Sequence, residues 1–132
     1  MSRYLLDTNH ASLLFRQLPS LRARVQAAQG SELLLCRPSI GELWFMVYNS
    51  GKVRVNVKDL RDFLGHFRSI EFGAKAAGEF GRIKTELRKL GRPIPDVDAQ
   101  IAAIARIHGL ILLTADGHFG WVSGLKTENW LK

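Results

Sequence analysis

Arg3-Tyr4-Leu5-Leu6-Asp7-Thr8-Asn9 is a short apolar run that ends on a carboxylate and passes at once into helix-capping residue types. Apolar runs this short, bounded by turn and cap signals, read as strands covered on both faces. Thr8 and Asn9 are N-cap types, and Leu13, Leu14 and Leu18 then recur at helical spacing.

The same strand-then-helix pattern continues along the chain. Leu33-Leu34-Leu35-Cys36 reads as a second buried strand, Arg68–Phe72 as a third, Leu110–Leu113 as the clearest, and Lys126–Glu128 as a last edge strand. Between them, Ser20–Gln29 reads as a helix closed by Gly30, and Pro38-Ser39 opens a long apolar helix to about Tyr48. Val57–Phe67 is expected to be helical. Gly73–Leu90 reads as a basic helix with Phe80, Ile83, Leu87 and Leu90 on one face, stopped by Gly91. Pro93-Ile94-Pro95 leads into a helix from about Asp96 to His108, with His108 as a C-terminal cap and Gly109 beyond it. Short buried strands alternating with helices imply an α/β three-layer sandwich, a short and mostly parallel central sheet flanked by helices. Neither a repeat nor a linker interrupts residues 1–132, which read as one domain.

Composition agrees with a folded domain: 46% of residues are hydrophobic and 23% charged. No stretch approaches the roughly 18 apolar residues of a membrane span. Asp7 comes too early for a secretory signal, and the one cysteine, Cys36, has no partner for an internal disulfide, so a cytoplasmic setting is expected. The net charge of +7 is unevenly spread, with eleven Lys/Arg against five Asp/Glu in residues 52–92. Such a field suits a polyanion such as RNA, though a solvated basic surface explains the same composition. Arg82, Arg88, Lys89 and Arg92 are the candidates for phosphate contacts.

Four carboxylates organise the functional reading. In a parallel sheet, ligands bind outside the carboxyl ends of the strands. Asp7 falls there directly after the first strand, and Asp116 three residues after Leu113. Asp98 lies in the first turn of its helix, where the dipole favours a carboxylate. Each alone also reads as a simple helix cap. Glu42 is flanked by Ile40, Leu43, Trp44, Phe45, Met46, Val47 and Tyr48, a helix apolar almost all round and so expected to be buried on most sides. A buried Glu42 needs a cation, either an arginine or a metal ion. Converging carboxylates make sense around hard divalent cations such as Mg²⁺, which would activate a water for attack on phosphorus. His10, His66, His108, His118 and Cys36 lack zinc-site spacing. No Walker loop, dinucleotide fingerprint or nucleophile elbow occurs.

These segments resemble the PIN-domain family in order and spacing. Tyr4-Leu5-Leu6-Asp7-Thr8-Asn9 is similar to its opening strand, and Ser39-Ile40-Gly41-Glu42-Leu43 to its acidic helix. Gly91-Arg92-Pro93-Ile94 with Asp98 and Ile101-Ala102-Ala103-Ile104-Ala105 resembles its third acidic segment. Thr114-Ala115-Asp116-Gly117-His118-Phe119, with Glu128-Asn129-Trp130, resembles its close. The resemblance implies a Mg²⁺- or Mn²⁺-dependent endoribonuclease with Asp7, Glu42, Asp98 and Asp116 as catalytic and metal-binding set. Asp7 and Asp98 would be direct ligands, Asp116 would hold a second ion or act through water, and Thr8 and Thr114 would orient ligands from behind. The compact size is similar to VapC-type toxins, which pair with a small antitoxin and commonly form homodimers. Trp44, Phe45 and Tyr48 are interface residue types for such association. Asp96, two residues before Asp98, reads as an N-cap, and His10 stands where the family more often has an aliphatic residue, with no catalytic need for it.

Alternatives are weaker. A haloacid-dehalogenase-like phosphatase would want a second Asp two residues after Asp7, where Asn9 stands. A phosphoacceptor receiver domain would want paired acids after the first strand and an Asp after the third. A stand-alone nuclease without an antitoxin, or an RNA-binding module without catalysis, remains as the runner-up.

Overall fold

The computed structural model describes residues 2–132. Five strands, β1 (Arg3–Leu6), β2 (Glu32–Cys36), β3 (Arg68–Ile70), β4 (Ile111–Leu113) and β5 (Thr127–Glu128), form one sheet in the order β3-β2-β1-β4-β5. Every neighbouring pair is parallel. Six helices connect them: α1 (Thr8–Phe15), α2 (Pro19–Ala27), α3 (Arg37–Tyr48), α4 (Val53–Leu64), α5 (Ala74–Lys89) and α6 (Asp96–His108). A 3-10 helix, Gly117–Trp121, follows β4.

Successive side chains of a strand point to opposite faces, and both faces here are apolar. Leu5, Leu34, Cys36 and Leu112 pack with Ala76, Ile83 and Leu87 of α5 and the Ala99–Ala105 stretch of α6. Leu6, Leu35 and Leu113 pack on the other side with Ala11, Leu14, Leu21, Leu43, Val47 and Leu60 of α1 to α4. Burying a leucine side chain contributes about 1.5–3 kcal/mol, so this double coverage fixes the three layers. Strand boundaries shorten relative to expectation because β3 ends at Ile70 and β4 begins at Ile111. Among the described residues no helix is long and apolar enough to cross a membrane.

The connections place a site. From β1 the chain steps to β2 and β3, then returns through α5 and α6 to the far side of β1 as β4. Strand order therefore reverses between β1 and β4, and the crevice at their carboxyl ends is where such sheets bind ligands. The Asp7 N–H donates to the Leu113 carbonyl at 3.0 Å, holding these two strand ends together.

Three local expectations change. Asp7 itself, rather than Thr8 or Asn9, caps α1. The α6 N-cap is Pro95, so Asp96 is not the cap; its carboxylate pairs with Lys84 at 3.0 Å on the surface. Helix α3 is not buried on most sides. Its buried stripe is Ser39, Leu43 and Val47, while Phe45 and Tyr48 are 65% and 60% exposed. One i, i+4, i+8 face is all the sheet can cover, and the remaining apolar side chains point outward.

Candidate active site

Four segments bring the carboxylates to the crevice. Asp7 follows β1 and Asp116 follows β4. Glu42 sits in the second turn of α3, and Asp98 in the first turn of α6. Asp98 registers their proximity. Its carboxyl is held above the usual carboxylate range, first by partial burial and then by the negative charges of Asp116, Asp7 and Glu42, with His118 opposing them. The structure thus brings all four predicted acids into one electrostatic field.

Capping and clustering coexist in these side chains. Oδ1 of Asp7 accepts the His10 N–H at 2.7 Å, and Oδ1 of Asp116 accepts the His118 N–H at 2.9 Å. Each cap fixes one oxygen and the rotation of its carboxylate. The second oxygen of each takes no hydrogen bond from the described residues. Asp7 is 5% exposed and therefore rigidly set, whereas Asp116 is open to solvent. Glu42 is half-buried rather than enclosed, and among the described residues it pairs with no arginine or lysine. Half-buried, Glu42 does not carry the requirement for a cationic partner that full burial would impose.

The supporting residues differ in what they hold. Thr114, 5% exposed, accepts the Asp116 N–H on Oγ1 at 3.0 Å and so shapes the turn after β4. Thr8 donates to Ser39 Oγ at 3.4 Å, tying the start of α1 to the first turn of α3. Ser39 also contacts Cys36 Sγ at 3.4 Å, and burial pushes the Cys36 thiol up. Of the basic candidates, Arg92 lies with its guanidinium 5.3 Å from the Trp121 ring centre, and Trp121 lies 4.6 Å from the His118 ring. His118 Nδ1 is 3.2 Å from Asp116, so Arg92 is linked to the acidic crevice through two rings. Arg82, Arg88 and Lys89 are exposed along α5 and make no ion pair among the described residues.

One contact escaped the sequence reading. His10 is fully buried, with Nδ1 3.3 Å from Asp7 Oδ1 and Nε2 accepting the Trp130 N–H at 3.2 Å. The available signal was a polar residue at a core-facing helix position four residues after a strand.

The donor set suits a hard cation. All four converging groups are carboxylates, and their mutual repulsion is what a divalent ion relieves. Among the described residues no three potential ligands close into a ready-made metal group. An open arrangement of oxygens fits Mg²⁺, which keeps several waters and takes few protein ligands.

A parallel α/β sheet with an all-oxygen acidic crevice at its switch point defines the class. The chain belongs to the PIN domain family, whose profile matches residues 4–125. It is 33% identical over 133 residues to the ribonuclease VapC2 of Haemophilus influenzae, covering 99% of this chain and 100% of that protein. It is also 33% identical over 135 residues to the tRNA(fMet)-specific endonuclease VapC of Shigella flexneri, covering 98% and 99%. The solved structure of VapBC2 from Rickettsia felis, bound to a DNA fragment from its promoter, superposes with a TM-score of 0.90 at 28% identity. That match covers 97% of this chain and 98% of the other.

Proposed function

We propose that this chain is a Mg²⁺- or Mn²⁺-dependent endoribonuclease and the toxin half of a toxin–antitoxin pair. The observation that carries the reading is the convergence of Asp7, Glu42 and Asp116 on a partly buried Asp98, where burial and their negative charges together raise the pKa of its carboxyl. Full-length similarity to VapC ribonucleases supports it.

Asp7 and Asp98 would hold the cation, with Asp116 and Glu42 completing the acidic ring. A divalent ion there would supply Lewis acidity to activate water and stabilise the leaving oxygen. Asp7 is preset by its cap, and Thr114 fixes the turn that presents Asp116. Arg92, and the exposed Arg82, Arg88 and Lys89, would neutralise RNA phosphates. Exposed Phe45 and Tyr48 on α3 support association with a second copy or an antitoxin. A cytoplasmic setting fits the lone buried thiol.

The test is incubation of purified protein with RNA and Mg²⁺, with and without EDTA. Cleavage with Mg²⁺ that EDTA stops is the expected result. RNA binding without cleavage would support the non-catalytic module instead. Co-purification with the product of an adjacent small reading frame separates a toxin from a stand-alone nuclease.

A further inference from the structure

We infer that His10 is a positioning residue for Asp7, holding the inner oxygen of that carboxylate so that the outer one is presented to a divalent cation. The inference rests on the proposed role of Asp7 as a cation ligand. Its own support is the hydrogen-bond arrangement around one imidazole.

His10 is 0% exposed, so its ring is shielded from bulk solvent. The Trp130 N–H donates to Nε2 at 3.2 Å, so Nε2 offers a lone pair and the ring proton belongs on Nδ1. Among the described residues Nδ1 has no hydrogen-bond partner. A buried N–H without an acceptor is costly and rare, and it marks a group with a further task. The carboxylate oxygen Oδ1 of Asp7 lies 3.3 Å from Nδ1, close but not aligned for a full bond. The proposed positioning bond is Nδ1–H to this oxygen.

The consequence is directional. Oδ1 already accepts the backbone N–H of His10 at 2.7 Å, and the ring Nδ1 stands 3.3 Å from the same oxygen, so both nitrogens face Oδ1. Oδ2 takes no hydrogen bond from the described residues and stays free for the crevice. One hydrogen bond and a second N–H facing the same oxygen resist rotation of the side chain, which presets a ligand before the cation arrives. The imidazole also joins Asp7 to the main chain at Trp130, anchoring the last segment against the crevice. A histidine that served only to accept from Trp130 would carry the same Nδ1 proton, so the two roles are separated by what losing that N–H does to cation affinity.

Two isosteres separate these roles. The side-chain amide of Asn places an N–H where Nδ1 stands, while Gln places its oxygen where Nε2 stands. Mn²⁺ is titrated calorimetrically into wild type, His10→Asn, His10→Gln and Asp7→Asn, with a melting curve for each metal-free protein. His10→Gln should keep its melting temperature near wild type and bind Mn²⁺ about 10–100-fold more weakly, the usual effect of losing a group behind a ligand. His10→Asn should melt lower yet recover most of the affinity. Nitrogen NMR of the wild-type imidazole should show the proton on Nδ1. Affinity that follows stability instead, weak in His10→Asn and intact in His10→Gln, would overturn the inference and leave the site reading standing. A proton on Nε2 would do the same. Wild type that binds no Mn²⁺, or Asp7→Asn that binds it normally, would overturn both together.

Discussion

Oδ1 of Asp7 accepts the backbone N–H of His10 at 2.7 Å, so the carboxylate that ends β1 is also the cap of α1. Asn caps a helix as well as Asp does. Asp7→Asn should therefore unfold within about 0.5 kcal/mol of wild type while losing an anionic ligand oxygen. Cleavage should fall by roughly 10²–10³-fold, as expected for several kcal/mol of lost charge stabilisation. Asp7→Ala should cost about 1 kcal/mol more in stability than Asp7→Asn, because it removes the cap. Denaturant melts of the two variants, alongside cleavage rates, check both parts.

Asp98 gives a pH dependence with a definite sign. Its folded pKa is raised above the ordinary value of 3.8 by burial and by its acidic neighbours. The folded protein therefore holds this proton more tightly than the unfolded chain. That contribution is complete below the unfolded pKa and is lost as pH rises through the folded one. At neutral pH without divalent metal, Asp98→Asn should melt at or above wild type. The gap should close as pH is lowered toward 3.8. A mutant clearly less stable at neutral pH would mark Asp98 as a structural helix-end residue.

Metal should act in the opposite direction. A cation bound only by the folded state stabilises by mass action, about 2.7 kcal/mol at a hundred times its dissociation constant. Mn²⁺ should raise the wild-type melting temperature and raise that of Asp98→Asn less. Equal gains in the two proteins would place the cation elsewhere.

How legible was this in the sequence? The strands were, because Leu5 and Leu6, or Leu112 and Leu113, are apolar toward both faces and have no other stable placement. The placement of Asp7 and Asp116 was, because both stand just beyond those runs. Strand order was not, since a parallel crossover leaves no mark in a local pattern. Helix α4 begins at Val53, earlier than the Val57 expected, because β-branched Val53 and Val55 alternate with polar residues and mask the helical period. Helix α3 is less buried than its composition implies, because apolar composition does not say which face a sheet can cover. The contacts of His10 leave no mark in the sequence, because its partners, Asp7 and Trp130, meet only in the folded chain.

The basic surface predicts a salt dependence. Reversing the charge of Arg82, Arg88, Lys89 and Arg92 together should weaken RNA binding and flatten its slope against salt. Each lost phosphate contact to single-stranded RNA lowers that slope by about 0.7. Unchanged affinity and slope would put the RNA on another face.

Self-association should depend on α3. Phe45→Glu with Tyr48→Glu places two charges on an exposed apolar surface. Sedimentation should show a dimeric wild type and a monomeric double variant. A wild type that is strictly monomeric at tens of micromolar and ignores its antitoxin would leave those side chains without a partner.

The most direct test of the account is RNA cleavage by rigorously purified Asp98→Asn beside wild type, in Mn²⁺ and in EDTA. Burial and the charges of Asp116, Asp7 and Glu42 raise the pKa of the Asp98 carboxyl, and the proposed cation site needs its anionic oxygen. The account predicts Mn²⁺-dependent cleavage by wild type, none in EDTA, and none above background by a folded Asp98→Asn. Cleavage by Asp98→Asn at near wild-type rate, or wild-type cleavage that survives EDTA, would contradict it.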